Sequence, residues 1–348
     1  MVRAEPTISG FAMLAGVARP HALIVTPAAP RLRTGNRRTA LRWMHILRDL
    51  GWRAEIETVW AGPSRDLLVA LHALKSHSAI ALARERSPRM PIVLALTGTD
   101  LYRDIRTEAE ARASLAAADR LVVLQEEGPK ELPPALRART QVIYQSERAR
   151  AAREPPGRVF RICVLGHLRA EKDPLRMARA LARLPAKPCV EVVQAGAALD
   201  ASLAGEARAV MVREPRYRWL GELPHWKALR LLASSHVMVI SSRMEGGAHV
   251  VGEAIAHGVP VIASDIPGNR GMLGPDYPGY FPPGDEDALA AAALRAMRDP
   301  EWLARLTRAV QARAPLFDPR TETLRWSALL AGLGLPARPG ALSPGSMR

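Results

Sequence analysis

The chain has 348 residues, 48% hydrophobic and 24% charged, and no apolar run long enough to span a bilayer. That length exceeds one typical core, so a soluble globular protein of two domains is expected. The net charge of +15 comes almost wholly from scattered arginines; with 5% aromatics and no basic run interleaved with them, nucleic acid is not an expected partner, whereas small anionic substrates are.

Residues 1–20 carry one apolar patch, 11–17, behind Arg3 and Glu5. The acidic residue and short apolar core make a poor signal peptide, so the stretch reads as a loosely held extension. Cys163 and Cys189 each lie in an apolar, strand-like run without metal-ligand spacing. That implies buried thiols in a reducing, cytoplasmic compartment, and no stable membrane insertion is expected.

Residues 21–150 alternate strands and helices. Strands are predicted at 21–26, 54–59, 67–71, 92–96, 120–124 and 141–144, and helices at 38–49, 73–86 and 108–117. In the first helix Leu41, Met44, Ile46 and Leu47 share one side, and Gly51 stops it. Thr34-Gly35-Asn36 ends a loop before it. His72, Lys75 and Ser76 fall at the end of the 67–71 strand, where a histidine is either structural or functional.

Residues 151–157, ending Glu154-Pro155-Pro156-Gly157, support no regular element and read as a linker. A second alternation fills 158–318. Its strands are at 159–165, 190–194, near 218–220, 237–240 and from 259, and its helices at 175–184, 226–233, 249–257, 286–297 and 301–312. A last helix covers about 320–330, and residues 334–348, rich in Pro, Gly and Ser, are expected to be disordered. The fold class is α/β, with two Rossmann-like, doubly wound parallel sheets.

The most informative stretch runs from Ser241 to Ser264. A buried strand leads into Glu245-Gly246-Gly247, a helix begins at His249-Val250, and Gly258 closes it. In such sheets ligands sit beyond the carboxyl ends of strands, where amides at a helix start favour phosphate. The two glycines are expected to let the main chain approach a ligand. A carboxylate accepts hydrogen bonds from paired hydroxyls, so Glu245 at a sugar and Glu253 at a ribose describe a nucleotide-sugar site.

Glu245 and Glu253, with seven residues between them, resemble the E-x7-E motif of retaining glycosyltransferases of the GT-B fold, family 4 type. That resemblance implies two domains facing across a cleft, with a final helix in segment 319–333 crossing back onto the first. Gly166-His167-Leu168-Arg169-Ala170-Glu171-Lys172 resembles the family's G-R-L-x-x-x-K segment, implying Lys172 at the donor pyrophosphate. Here His167 stands at the arginine position and Arg169 is the substitute cation. Tyr217-Arg218-Trp219-Leu220-Gly221 resembles the segment that meets the base, with Arg218 bonding uracil through its backbone; an ordinary strand with a core tryptophan fits equally. Thr97-Gly98-Thr99-Asp100 resembles H-G-T-D with Thr97 replacing the histidine near the donor sugar, and Gly35 falls in the loop facing the donor phosphate. Asp285-Glu286-Asp287 spells D-x-D but opens a helix, so capping explains it and no metal is expected. No cofactor is expected beyond the UDP-sugar, which is a substrate.

Several phrases together are similar to the selenosugar synthases of selenoneine biosynthesis: LTGTDLYRD from Leu96, GHLRAEKD from Gly166, PRYRWLG from Pro215 and SSRMEGG from Ser241. Membership implies transfer of a hexose from a UDP-sugar to the selenium of selenophosphate. An anionic selenium nucleophile needs no general base, so the loss of histidine at Thr97 is tolerable. Arg37, Arg38, Lys75 and Arg103 are candidate cations for such an acceptor. The alternatives are transfer to a sugar phosphate or alcohol, and an inert nucleic-acid-binding version of the fold.

Overall fold

A computed structural model describes residues 19–30, 34–60, 62–63, 65–186 and 189–337. Most of the predicted N-terminal extension and most of the C-terminal tail lie outside the described residues. Two six-stranded parallel sheets carry the chain. The first contains β1 (His21–Val25), β2 (Arg53–Glu57), β3 (Leu67–Leu71), β4 (Ile92–Leu96), β5 (Arg120–Val123) and β6 (Thr140–Val142), in the order β2-β1-β3-β4-β5-β6. The second contains β7 (Phe160–Leu165), β8 (Val190–Ala195), β9 (Tyr217–Trp219), β10 (Val237–Ile240), β11 (Val261–Ser264) and β12 (Tyr280–Phe281), ordered β12-β11-β10-β7-β8-β9.

All five residues of β3 and of β4 are buried. Helices cover both faces of each sheet, so the central strands are apolar runs rather than alternating ones. Strand order reverses at β1/β3 in one sheet and at β7/β10 in the other, which places a crevice at the carboxyl ends of both pairs. The helix Pro319–Gly332 returns to the first sheet. Its Trp326 meets Trp43 edge-on with ring centroids 4.9 Å apart, and its buried Glu322 accepts the Trp43 indole hydrogen at 2.9 Å.

The structure differs from the sequence reading in several places, four of which bear on the site or the core. The helix predicted from residue 73 starts at His77, because residues 72–76 form a turn in which the Ser76 hydroxyl donates to the Leu71 carbonyl at 2.7 Å. The helix Ala201–Arg213, capped by Asp200, was not predicted; alanine-rich and interrupted by Gly205, it carries little apolar periodicity. The helix Pro267–Leu273, with two internal glycines, also went unread. Cys189 is exposed rather than buried, because it stands just before β8 and outside the sheet.

Candidate active site

A cavity of about 850 Å³ lies between the carboxyl ends of the two sheets. Glu245 and Glu253 both line it, with Lys172, Arg169, Gly166, Gly247, His249 and Val250 from the second domain. His72, Thr97 and Gly35 line it from the first. Thus eleven of the thirteen residues singled out from the sequence meet at one cleft. Arg218 is not in the lining: it is exposed on β9, an edge strand.

Gly246 is also outside the lining, and its role differs from the expected one. A Cβ there would strike the main chain of Thr97 and Gly98, and one on Gly247 would lie 2.5 Å from the Leu124 side chain. These glycines let the second domain's loop approach the first domain. Gly268 closes the other side, because a Cβ there would strike the Glu245 carbonyl. The loop is clamped between the first domain and the helix Pro267–Leu273 of its own domain.

Glu245 is 7% exposed, and its Oε1 accepts from the Lys172 ammonium and from the Ser242 hydroxyl at 2.6 Å. Glu253 is 3% exposed, on the helix His249–Ala256. Its Oε1 accepts from Arg38 Nη1 at 2.7 Å and from His225 Nε2 at 2.8 Å. Burial opposes the charge of Glu253, but the His225 hydrogen bond and the Arg38 cation outweigh it and hold the carboxyl below its usual range. Each glutamate therefore gives one oxygen to protein donors, while Oε2 has no hydrogen-bond partner among the described residues.

Sequence reasoning missed Glu147. Its Oε1 accepts from Arg38 Nη2 at 3.0 Å, Arg42 Nη2 at 2.9 Å and His249 Nδ1 at 3.3 Å. Burial opposes ionisation here too, but the His249 hydrogen bond and both arginines bring the carboxyl down to about 2. His249 is held below its usual range by burial, and its Nε2 is buried without a partner among the described residues. The helix behind it has no side-chain cap and no acidic residue in its first turn, leaving amides for an anion.

Among the cations proposed for the acceptor, Arg38 is committed to Glu253 and Glu147. Arg103 does not line the cavity; it is exposed and pairs with Asp104 at 2.9 Å. Arg37 and Lys75 line the cavity with no ion pair or side-chain hydrogen bond among the described residues, and the Arg37 Nε is buried unpaired. Arg169 lines the same cavity, and its side chain makes no hydrogen bond or ion pair among the described residues.

His72 is 3% exposed and adopts φ 78°. Its Nδ1 accepts from the Lys75 amide at 3.4 Å, which places the hydrogen of the neutral ring on Nε2, bonded to Thr99 Oγ1 at 3.0 Å. Burial pushes its pKa down. Asp100 is fully buried and ties the adjoining loops together, accepting from the amides of Ala73 at 3.0 Å, Thr97 at 3.0 Å and Gly98 at 2.8 Å. Thr34 caps the helix Gly35–Asp49 through the Arg37 amide at 3.4 Å. Asp285 of the D-x-D sequence is likewise a cap, accepting from the Ala288 amide at 2.8 Å.

Residues 145–313 match the family Glycosyl transferases group 1. Glycosyltransferase 1 domain-containing protein 1 of Xenopus tropicalis is 24% identical over 273 residues, covering 71% of this chain and 79% of that protein. Sucrose-phosphate synthase from Thermosynechococcus elongatus superposes with a TM-score of 0.74 at 18% identity, covering 91% of this chain and 99% of that one. Anabaena HepE in complex with UDP-glucose gives 0.73 at 17% identity, covering 90% and 100%. The fold is GT-B, and its second half carries the group 1 glycosyltransferase sequence pattern. Among the described residues no helix is long and apolar enough to cross a membrane.

Proposed function

We propose that this chain, a group 1 glycosyltransferase by sequence pattern and GT-B by fold, transfers a hexose from a UDP-sugar to the selenium of selenophosphate. The observation that carries the donor half is the meeting of Glu245 and Glu253 in one interdomain cleft, with Lys172 and Arg169 in the same wall. HepE, of the same fold, was solved with UDP-glucose. Glu253 Oε2 would take a ribose hydroxyl and Glu245 Oε2 a hydroxyl of glucose or N-acetylglucosamine. Lys172 and Arg169, with the amides at His249 and Val250, would meet the diphosphate.

In the reaction the anomeric C1–O bond breaks and its electron pair leaves with UDP, while a C–Se bond forms. Negative charge grows on the leaving diphosphate, which Lys172 and Arg169 in the cavity wall would offset. The selenium assignment rests on resemblance, and the acceptor wall supports an acceptor of that charge. Among the described residues, the first domain's share of the lining includes Arg37, Arg38 and Lys75 but no carboxylate. His72, the one imidazole among them, has both nitrogens bonded. An acceptor that arrives ionised suits this wall better than an alcohol needing a base.

Transfer to an alcohol is the competing reading. Glu222, an exposed carboxylate in the lining without a side-chain partner among the described residues, is the one group that favours it. Incubation with selenophosphate and either UDP-glucose or UDP-N-acetylglucosamine, followed by mass spectrometry, decides between them. The expected result is UDP together with a selenium-bearing sugar. UDP release only with alcohols, abolished in Glu222→Gln, would favour the competitor. Salt-sensitive retention on nucleic acid without turnover would favour an inert binding protein.

A further inference from the structure

We propose that Arg38, on the first domain, is a positioning residue for the nucleotide carboxylate of the second, and that it couples donor binding to closure of the cleft. The inference rests on Glu253 being the ribose ligand. Arg38 belongs to the helix Gly35–Asp49, which packs on the first sheet, whereas Glu253 belongs to a helix of the second domain. The guanidinium spans the gap, with Nη1 on Glu253 Oε1 at 2.7 Å and Nη2 on Glu147 Oε1 at 3.0 Å.

A planar fork held at both ends has little freedom, so it fixes the oxygen it touches. Arg38 and His225 both take Oε1, which leaves Oε2 as the oxygen open to a ribose hydroxyl. Without Arg38 the buried carboxylate keeps only His225, whose side chain is 46% exposed, and its last torsion is released. The contact exists only while the two domains meet. A nucleotide that prefers the pinned carboxylate must therefore favour the closed arrangement, and by reciprocity closure must favour the nucleotide.

A double-mutant cycle on UDP affinity, read by calorimetry, tests this. Arg38→Met should weaken UDP binding about tenfold or more in the wild-type background. It should have no further effect in Glu253→Gln, because the pinned group is gone. X-ray scattering should show the radius of gyration falling on addition of UDP in wild type and staying constant in Arg38→Met. Should Arg38→Met fail to fold, Arg38→Lys replaces it in the cycle, since an ammonium cannot span both carboxylates. Affinity within twofold of wild type, or a loss that adds in full on top of Glu253→Gln, overturns the role of Arg38. A Glu253→Gln variant that binds UDP as well as wild type overturns the ribose assignment itself, and this proposal with it.

Discussion

Gly246 presses against the main chain of Thr97, so the loop bearing Glu245 and the loop after β4 touch with no side chain between them. The obstacle to a Cβ is backbone, which cannot rotate away. Gly246→Ala should therefore spread the cleft and destabilise the fold by roughly 1–3 kcal/mol. Misplacing Glu245 relative to the acceptor wall by a fraction of an ångström should cut turnover by about tenfold or more. Thermal melts and kcat check both, and an unchanged kcat would remove the proposed contribution of this contact to catalysis.

Lys172 shares Oε1 of Glu245 with Ser242. On the proposed reading, an ammonium that meets both Glu245, holding the sugar, and the leaving diphosphate would act mainly in the transition state. Lys172→Met should lower kcat by about 10²–10³. Steady-state rates with saturating UDP-sugar test it; a change confined to KM would assign Lys172 to ground-state binding only.

Arg37 and Lys75 line the cavity from the first domain, the proposed acceptor side, as cations with no ion pair among the described residues. Arg37→Gln and Lys75→Met should each raise the acceptor KM by about tenfold, the worth of one charge-assisted contact, while UDP affinity holds. An unchanged acceptor KM in both variants would place the acceptor elsewhere.

His72 has a left-handed backbone that asparagine tolerates and β-branched residues do not. With both ring nitrogens bonded inside the protein, its part is to hold the turn beside Lys75. His72→Asn should keep turnover within about tenfold, whereas His72→Val should lose soluble, folded protein. Complete loss of kcat in a well-folded His72→Asn would make it a catalytic base after all.

Glu147 is ionised in the folded chain down to about 2, against an ordinary 4.5. A depressed carboxyl contributes stability that is complete above the unfolded value and lost as pH falls through the folded one. The shift corresponds to on the order of 3 kcal/mol at neutral pH, disappearing between about pH 4.5 and 2. Melting temperatures of wild type should fall more steeply over that window than those of Glu147→Gln; parallel curves would contradict the assignment.

The sequence made much of this legible, for physical reasons that also mark its limits. Strands such as β3, β4 and β10 are unbroken apolar runs because both of their faces are covered, and such runs need no partner to be recognised. Glu245 and Glu253 were legible because one loop and one helix carry both. Glu147 was not, nor was the link from Arg38, read only as an acceptor cation, to Glu147 and Glu253, which lie 109 and 215 residues from it in sequence. Such pairs are set by how the domains face each other, and no local pattern encodes that. The two glycines were expected to let the main chain approach a ligand; what Gly246 meets is the first domain's backbone at Thr97 and Gly98, and what Gly247 meets is the Leu124 side chain. Arg103 looked as suitable as Arg37 by charge, and its place outside the cavity, exposed and paired with Asp104, removes it.

Titration of UDP into wild type, Glu253→Ala and Glu245→Ala addresses the two-carboxylate site most directly. Affinity should fall at least tenfold in Glu253→Ala and stay within a few-fold of wild type in Glu245→Ala, which should instead lose sugar transfer. Equal UDP affinity in all three proteins would contradict the placement of nucleotide and sugar at opposite ends of this cleft.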